Sequence, residues 1–193
     1  MKKATTLTWC FFGLFIFITS ALFSQETCGS VTNSTPTATL DNDIEVTATV
    51  DISDNLFLTS MSLDISIIHT YIGDVKFNLV SPSGTRIIVC QGICGDKQNM
   101  EATFTDEGDP VMCAETIPAA SGLILPFSAF SNFADEPIAG TWTLEVTDTG
   151  PGDTGIITSW TLNYCGVESL SVPENTLLSR LTLSPNPAKN FVD

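Results

Sequence analysis

The stretch DVKFNLVSPSGT, residues 74–85, alternates apolar and polar side chains and then turns. Val75, Phe77 and Leu79 fall on one face, Lys76 and Asn78 on the other. A period of two marks a strand that buries one face. The run ends in Ser81-Pro82-Ser83-Gly84. Pro82 pre-sets its φ and Gly84 reaches conformations closed to other residues, so a hairpin turn is expected there.

The same period recurs on both sides of this stretch. In EVTATVDI (45–52), Val46, Ala48, Val50 and Ile52 share a face. In SLDISII (62–68) they are Leu63, Ile65 and Ile67; in TWTLEVTD (141–148), Trp142, Leu144 and Val146. Trp160, Leu162 and Tyr164 repeat the pattern near the end. Gly, Pro and Asp punctuate the runs, and no ten-residue stretch has helical periodicity. Seven to nine short strands, each with one apolar face, bury those faces only against a second sheet. The expected fold is all-β, a jelly-roll-like antiparallel β-sandwich. The segment from Cys90 to Pro137 is less regular and is expected to form long inter-strand loops.

The two ends differ in composition from the middle. Lys2 and Lys3 precede the apolar run TWCFFGLFIFITSALF, which closes at Ser24 and Gln25. That pattern is short for a membrane span and suits a secretory signal over residues 1–25. A single domain is expected over 26–167. Residues 168–193 read as a polar linker followed by LTLSPNPAKNFVD, the start of a C-terminal tail. No membrane span is expected once the signal is removed.

The chain of 193 residues carries 7 basic and 22 acidic residues, a formal charge of −15. Nucleic acid and anionic membrane surfaces would repel it. The surplus carboxylates suit a hard cation instead. Export puts the cysteines in an oxidising compartment, where they pair. Five follow the signal, an odd number. Cys28–Cys165 would tie the ends of the domain and Cys94–Cys113 would close a loop, leaving Cys90; a Cys90–Cys113 bond is the rival. Zinc is disfavoured, because there is no CxxC and only one histidine.

Several ordered motifs then fall at one spacing: His69, Gly73-Asp74, Ser81-Pro82-Ser83-Gly84-Thr85, the run from Gly140 to Asp148, Asp153-Thr154-Gly155, and Trp160 to Leu162. Over about residues 28–167 this resembles the P domain (Homo B) of proprotein convertases and related bacterial subtilisin-like proteases. The resemblance implies a jelly-roll β-sandwich that accompanies a serine endopeptidase and supports its folding. Many convertases have Arg before Gly-Asp; here it is Ile72, so Arg-Gly-Asp adhesion is not implied. The tail LTLSPNPAKNFV is similar to the start of the type IX secretion sorting domain of Bacteroidota. Together the signal and tail imply a secreted or cell-surface protein.

His69, an aspartate and the serines at 81 and 83 are the ingredients of a hydrolytic triad, but the serines flank Pro82 in a turn and no nucleophile-elbow pattern is present. No catalytic residue is assigned. His69 reads as a satisfied strand-end side chain. Gly73 reads as a turn glycine, and Asp74 as an acceptor for turn amides. Trp142 and Trp160 read as core. Asp74, Asp148 and Asp153 lie in turns at strand ends and are expected to converge as ligands for structural Ca²⁺; Asp106, Glu107 and Asp109 of TDEGD are a second candidate. The expected function is a secreted, non-catalytic module whose partner is a protease or a cell-surface component. The alternatives are a fragment of a secreted subtilisin-like serine endopeptidase and a carbohydrate-binding sandwich.

Overall fold

The computed structural model describes residues 25–39 and 43–168. Apart from Gln25 and Glu168, the expected signal and the expected linker and sorting tail lie outside the described residues.

Ten strands run in the order β1 (Glu26–Asn33), β2 (Thr37–Ala38), β3 (Glu45–Ile52), β4 (Leu56–His69), β5 (Val75–Val80), β6 (Arg86–Gln91), β7 (Met100–Asp109), β8 (Ala120–Ile124), β9 (Gly140–Asp148) and β10 (Gly155–Glu168). One sheet has the order β1-β10-β4-β7-β8, with β2 also on β10; the other has the order β3-β9-β5-β6. The described residues hold no α-helix, only 3-10 turns at Ile72–Asp74 and Phe130–Phe133.

The period-two runs set the core. Phe77, Leu79, Trp142 and Leu144 from the second sheet are buried with Leu63, Phe104, Trp160 and Leu162 from the first. Phe77 and Phe104 meet edge to face across the interface, ring centres 5.4 Å apart, the arrangement aromatic quadrupoles favour. The turn after β5 closes as its residues require: Gly84 sits at φ 90° and its N–H donates to the Ser81 carbonyl at 2.9 Å.

Two expectations are corrected. The strands are not all short: β4 and β10 each run 14 residues and pair along nearly their whole length. The segment from Cys90 to Pro137 is not only loop. Met100, Ala102 and Phe104 point into the core while Glu101, Thr103 and Thr105 point out, which makes β7 a full strand. The expected antiparallel sandwich is otherwise what forms, with one parallel pair in it, β8 on β7. The connection after β7 carries the chain back along that strand. Cys94–Cys113 pins the connection, and the Ala119 N–H donates to the Gln98 and Asn99 carbonyls, so β8 starts beside the start of β7.

Cys28 and Cys165 sit directly opposite on β1 and β10 and are bonded across a sequence separation of 137 residues. In the chain-entropy account, closing so long a loop contributes about 5 kcal/mol. Cys90 is free and buried.

Candidate functional site

Two connections meet at one end of the sandwich. His69 is the last residue of β4, and the 3-10 turn Ile72–Asp74 follows it into β5. Asp148 is the last residue of β9, and Asp153 lies in the link to β10. Their carboxylates converge: one oxygen each from Asp74, Asp148 and Asp153 lie within 4.8 Å of one another.

His69 anchors the cluster. Its Nε2 lies 2.9 Å from Asp148 Oδ2, and both side chains are fully buried. The Tyr71 N–H points at His69 Nδ1 from 3.1 Å, so Nδ1 accepts and the ring proton sits on Nε2, donated to Asp148. The second oxygen of Asp148 accepts from the Gly150 N–H at 3.3 Å. Asp153 is less well provided. Both of its carboxylate oxygens are shielded from solvent without a hydrogen-bond partner, and Oδ2 stands 3.8 Å from His69 Nδ1. Burial pushes the Asp74 carboxyl above its ordinary range, the charges of Asp153 and Asp148 add to this, and His69 opposes it.

Two glycines make room for the cluster. A Cβ on Gly150 would lie 1.8 Å from Asp74 Oδ2, and one on Gly155 would lie 2.1 Å from His69 Cδ2. Any side chain at either place would displace a charged or ring atom of the site.

The other singled-out residues are distributed as follows. Trp142 and Trp160 are core side chains; Trp142 Nε1–H donates to the Ile138 carbonyl at 2.9 Å. Ile72, in the place of the convertase arginine, is fully buried. Gly73 does not take a left-handed turn conformation. What it permits is close approach, since its Cβ would lie 2.7 Å from the Gly95 backbone. Asp74 serves its turn through its main-chain carbonyl, which accepts from Thr149 N–H at 2.9 Å and Thr149 Oγ1 at 3.0 Å. Ser81 Oγ donates to Glu136 at 2.6 Å, not to His69. Pro82 is exposed at the hairpin turn.

The TDEGD cluster does not form a site. It lies in β7, where alternation sends Asp106 and Glu107 to opposite faces. Asp106 instead accepts the Phe130 and Ser131 N–H groups at 2.7 and 2.9 Å and caps the second 3-10 turn. Sequence reasoning also missed Asn99. At φ 62° it accepts the His69 N–H on its side chain at 3.0 Å and donates its own N–H to the His69 carbonyl at 3.1 Å. The only local signal for it was that Asn tolerates a left-handed backbone.

Three convergent carboxylates, one with both oxygens unpartnered, are chemistry for a hard oxygen-seeking cation. They are poor chemistry for acyl transfer, which needs a nucleophile within hydrogen-bond reach of the base.

The model of the Proprotein convertase P-domain family matches residues 58–164. Leupeptin-inactivating enzyme 1 of Streptomyces exfoliatus is 28% identical over 102 residues, which are 53% of this chain and 18% of that protein. The serine protease of Aeromonas sobria, solved in complex with a chaperone, superposes with a TM-score of 0.53 at 19% identity, over 75% of this chain and 28% of that one. The structure of the Aeromonas protease itself gives a TM-score of 0.52 at 20% identity, with the same coverage. The chain thus spans less than a third of the length of these relatives, and at such identity the solved structures speak for the fold.

Proposed function

The chain belongs to the proprotein convertase P-domain family, and from that premise we propose that it is a secreted, non-catalytic module that binds and stabilises a protease. The observation that carries this reading is the family match over the sandwich core together with the surroundings of His69. Both ring nitrogens of His69 are engaged, and its carboxylate partner also faces two further acids, with the Ser81 hydroxyl committed elsewhere. The cysteine pairs and the sorting-type tail support export, with the tail delivering the module to the cell surface or medium.

The reading includes calcium. Asp74, Asp148 and Asp153 would hold the ion, and turn carbonyls and water would complete its shell. Bound there, it would neutralise three carboxylates that the chain leaves facing one another. Asp153, with both oxygens buried and unpartnered, is the feature that supports this. Calcium should raise the melting temperature by several degrees over chelator. A variant carrying Asp74→Asn and Asp153→Asn should lose that response. An identical melt with and without calcium would remove the ion from the reading.

The partner test uses the tagged chain in calcium to retain material from the culture medium of the source organism. Gelatin cleavage by the retained material, blocked by a serine-protease inhibitor, is expected. If nothing active is retained by folded bait, the protease reading fails. If the purified chain itself cleaves, a fragment of a subtilisin-like endopeptidase becomes the better account. Glycan binding is the weaker alternative, because Trp142 and Trp160 are buried and have no free face for a sugar.

A further inference from the structure

We propose that the open edge of the first sheet at β8 docks an extended segment of a partner polypeptide, apolar at alternate positions with lysine or arginine between them. This goes beyond the protease reading and does not depend on calcium. Leu123, Leu125 and Phe127 are 60%, 42% and 64% exposed, while Ile124 between them is 3% exposed. Leu123 is the outward apolar residue of β8, and Leu125 and Phe127 continue the exposed apolar run just past the strand's end. This run is tied to both sheets. Leu125 N–H donates to the Asp109 carbonyl on β7, and Phe127 N–H to the Val89 carbonyl on β6, both at 2.9 Å. The run 123–127 therefore crosses from the edge of one sheet to the edge of the other, closing the side of the sandwich with apolar groups turned outward.

The backbone there is also unpaired on its outer side. Among the described residues no strand lies beyond β8. Leu125 directs its N–H inward to β7, so by alternation the N–H of Ile124 faces away from it; Gly122, at φ 84°, interrupts the alternation before that point. Native edges are usually blunted by lysine, proline or a covering loop. None of the residues of β8 is charged or proline, and Pro126 stands two residues past its end.

Charge selects the occupant. Glu101, Glu107 and Asp109 are exposed on β7, the strand beside β8. An added strand would lie two strand spacings from β7, about 10 Å, which is about one Debye length at moderate salt. Among the described residues no basic side chain is free to neutralise them there: Arg86 is paired with Glu45 and Glu145, Lys97 with Glu115, and Lys76 lies on β5 in the other sheet. A groove of about 380 Å³, lined by Asp64, Ser66, Glu101, Thr103 and Leu123, runs along the outer face next to the edge and gives room for long cationic side chains. A second copy of this chain would bring the same acids against themselves, so it is the wrong occupant.

The test titrates the full chain with a seven-residue peptide alternating lysine and valine, and with the same peptide carrying proline at its central valine. The first peptide should bind saturably, weaken with salt, and slow hydrogen exchange at Ile124. The proline peptide, equal in charge but unable to pair as a strand, should bind at least tenfold more weakly. Leu123→Asp with Phe127→Asp should cost at least tenfold, and Leu123→Ser, which adds no charge, should also weaken binding. Equal binding of the two peptides would mean charge attraction alone and overturn the proposal. So would unchanged affinity in both variants with melting temperature retained, or a homodimer that Leu123→Ser dissolves.

Discussion

His69 and Asp148 end strands of different sheets, and the hydrogen bond between their buried side chains, 2.9 Å long, fastens the two layers of the sandwich at one end. The buried core between the layers is otherwise mainly apolar, and apolar contacts are non-directional. A polar pair of fixed geometry adds a constraint on how the sheets sit over each other. It also fixes Asp148 among the other two carboxylates.

Removing this fastening should be costly. His69→Ala would leave the Asp148 carboxylate buried without its imidazole donor, and about 3 kcal/mol of stability should be lost. Urea unfolding in chelator, compared with wild type, measures it. A loss below about 1 kcal/mol, no more than an ordinary net hydrogen bond, would mean that the pair does not fasten the sheets.

The glycines of the site should rank by space. Gly155→Ala puts a methyl 2.1 Å from the His69 ring and should cost about 2–3 kcal/mol, as overpacking does. Gly84→Ala, with open space around it but φ at 90°, should cost about 1 kcal/mol from backbone strain alone. Reversal of that order in thermal unfolding would contradict the close packing of Gly155 on His69.

Cys90 should be chemically silent. Burial pushes its thiol up to about 12, so almost no thiolate exists near neutrality. With residues 26–168, which lack Cys10 of the expected signal, iodoacetamide at pH 8 should leave the native protein unlabelled and modify one thiol per molecule in denaturant. Rapid labelling of the folded protein would show the thiol to be accessible.

Alkaline pH should loosen the fold through Tyr164. Its hydroxyl lies 2.8 Å from Asp54 Oδ2, and burial, followed by that hydrogen bond and the Asp54 charge, raises it to about 12. The folded state therefore holds this proton more tightly than the unfolded state, where the ordinary value is about 10. The contribution is complete below pH 10 and is lost as pH rises from about 10 to 12. Tyr164→Phe should lower stability at neutral pH by about 1 kcal/mol and flatten the decline over that window. An unchanged alkaline slope would remove Tyr164 as its cause.

The strands with clean alternation were legible because one-sided burial writes itself into side-chain order; β5, β9 and the later part of β10 are of this kind. β7 carries the same signal in Met100, Ala102 and Phe104, but flanking cysteines, prolines and acids made the region read as loop. β8 is five residues interrupted by Gly122, and its parallel pairing depends on a long-range return that no local pattern encodes. At the site, turn aspartates were visible as a residue type. The contact of His69 with Asp148 was not, since it depends on where two strands of different sheets end. Gly150 and Gly155 were invisible for the same reason: what they avoid lies across the fold rather than along the chain.

The bond between Cys28 and Cys165 also has a mechanical meaning. In the pairing of β1 with β10, Glu26 faces Val167 and Thr27 faces Gly166, so the chain enters and leaves at one corner. Tension applied to the two flanks would peel open those two pairs, strip Gly166, Val167 and Glu168 from β4, and then meet a covalent bond. The 137-residue span beyond it would feel no load, and the sandwich would hang from its tether as a folded bead whose interior the pull does not reach.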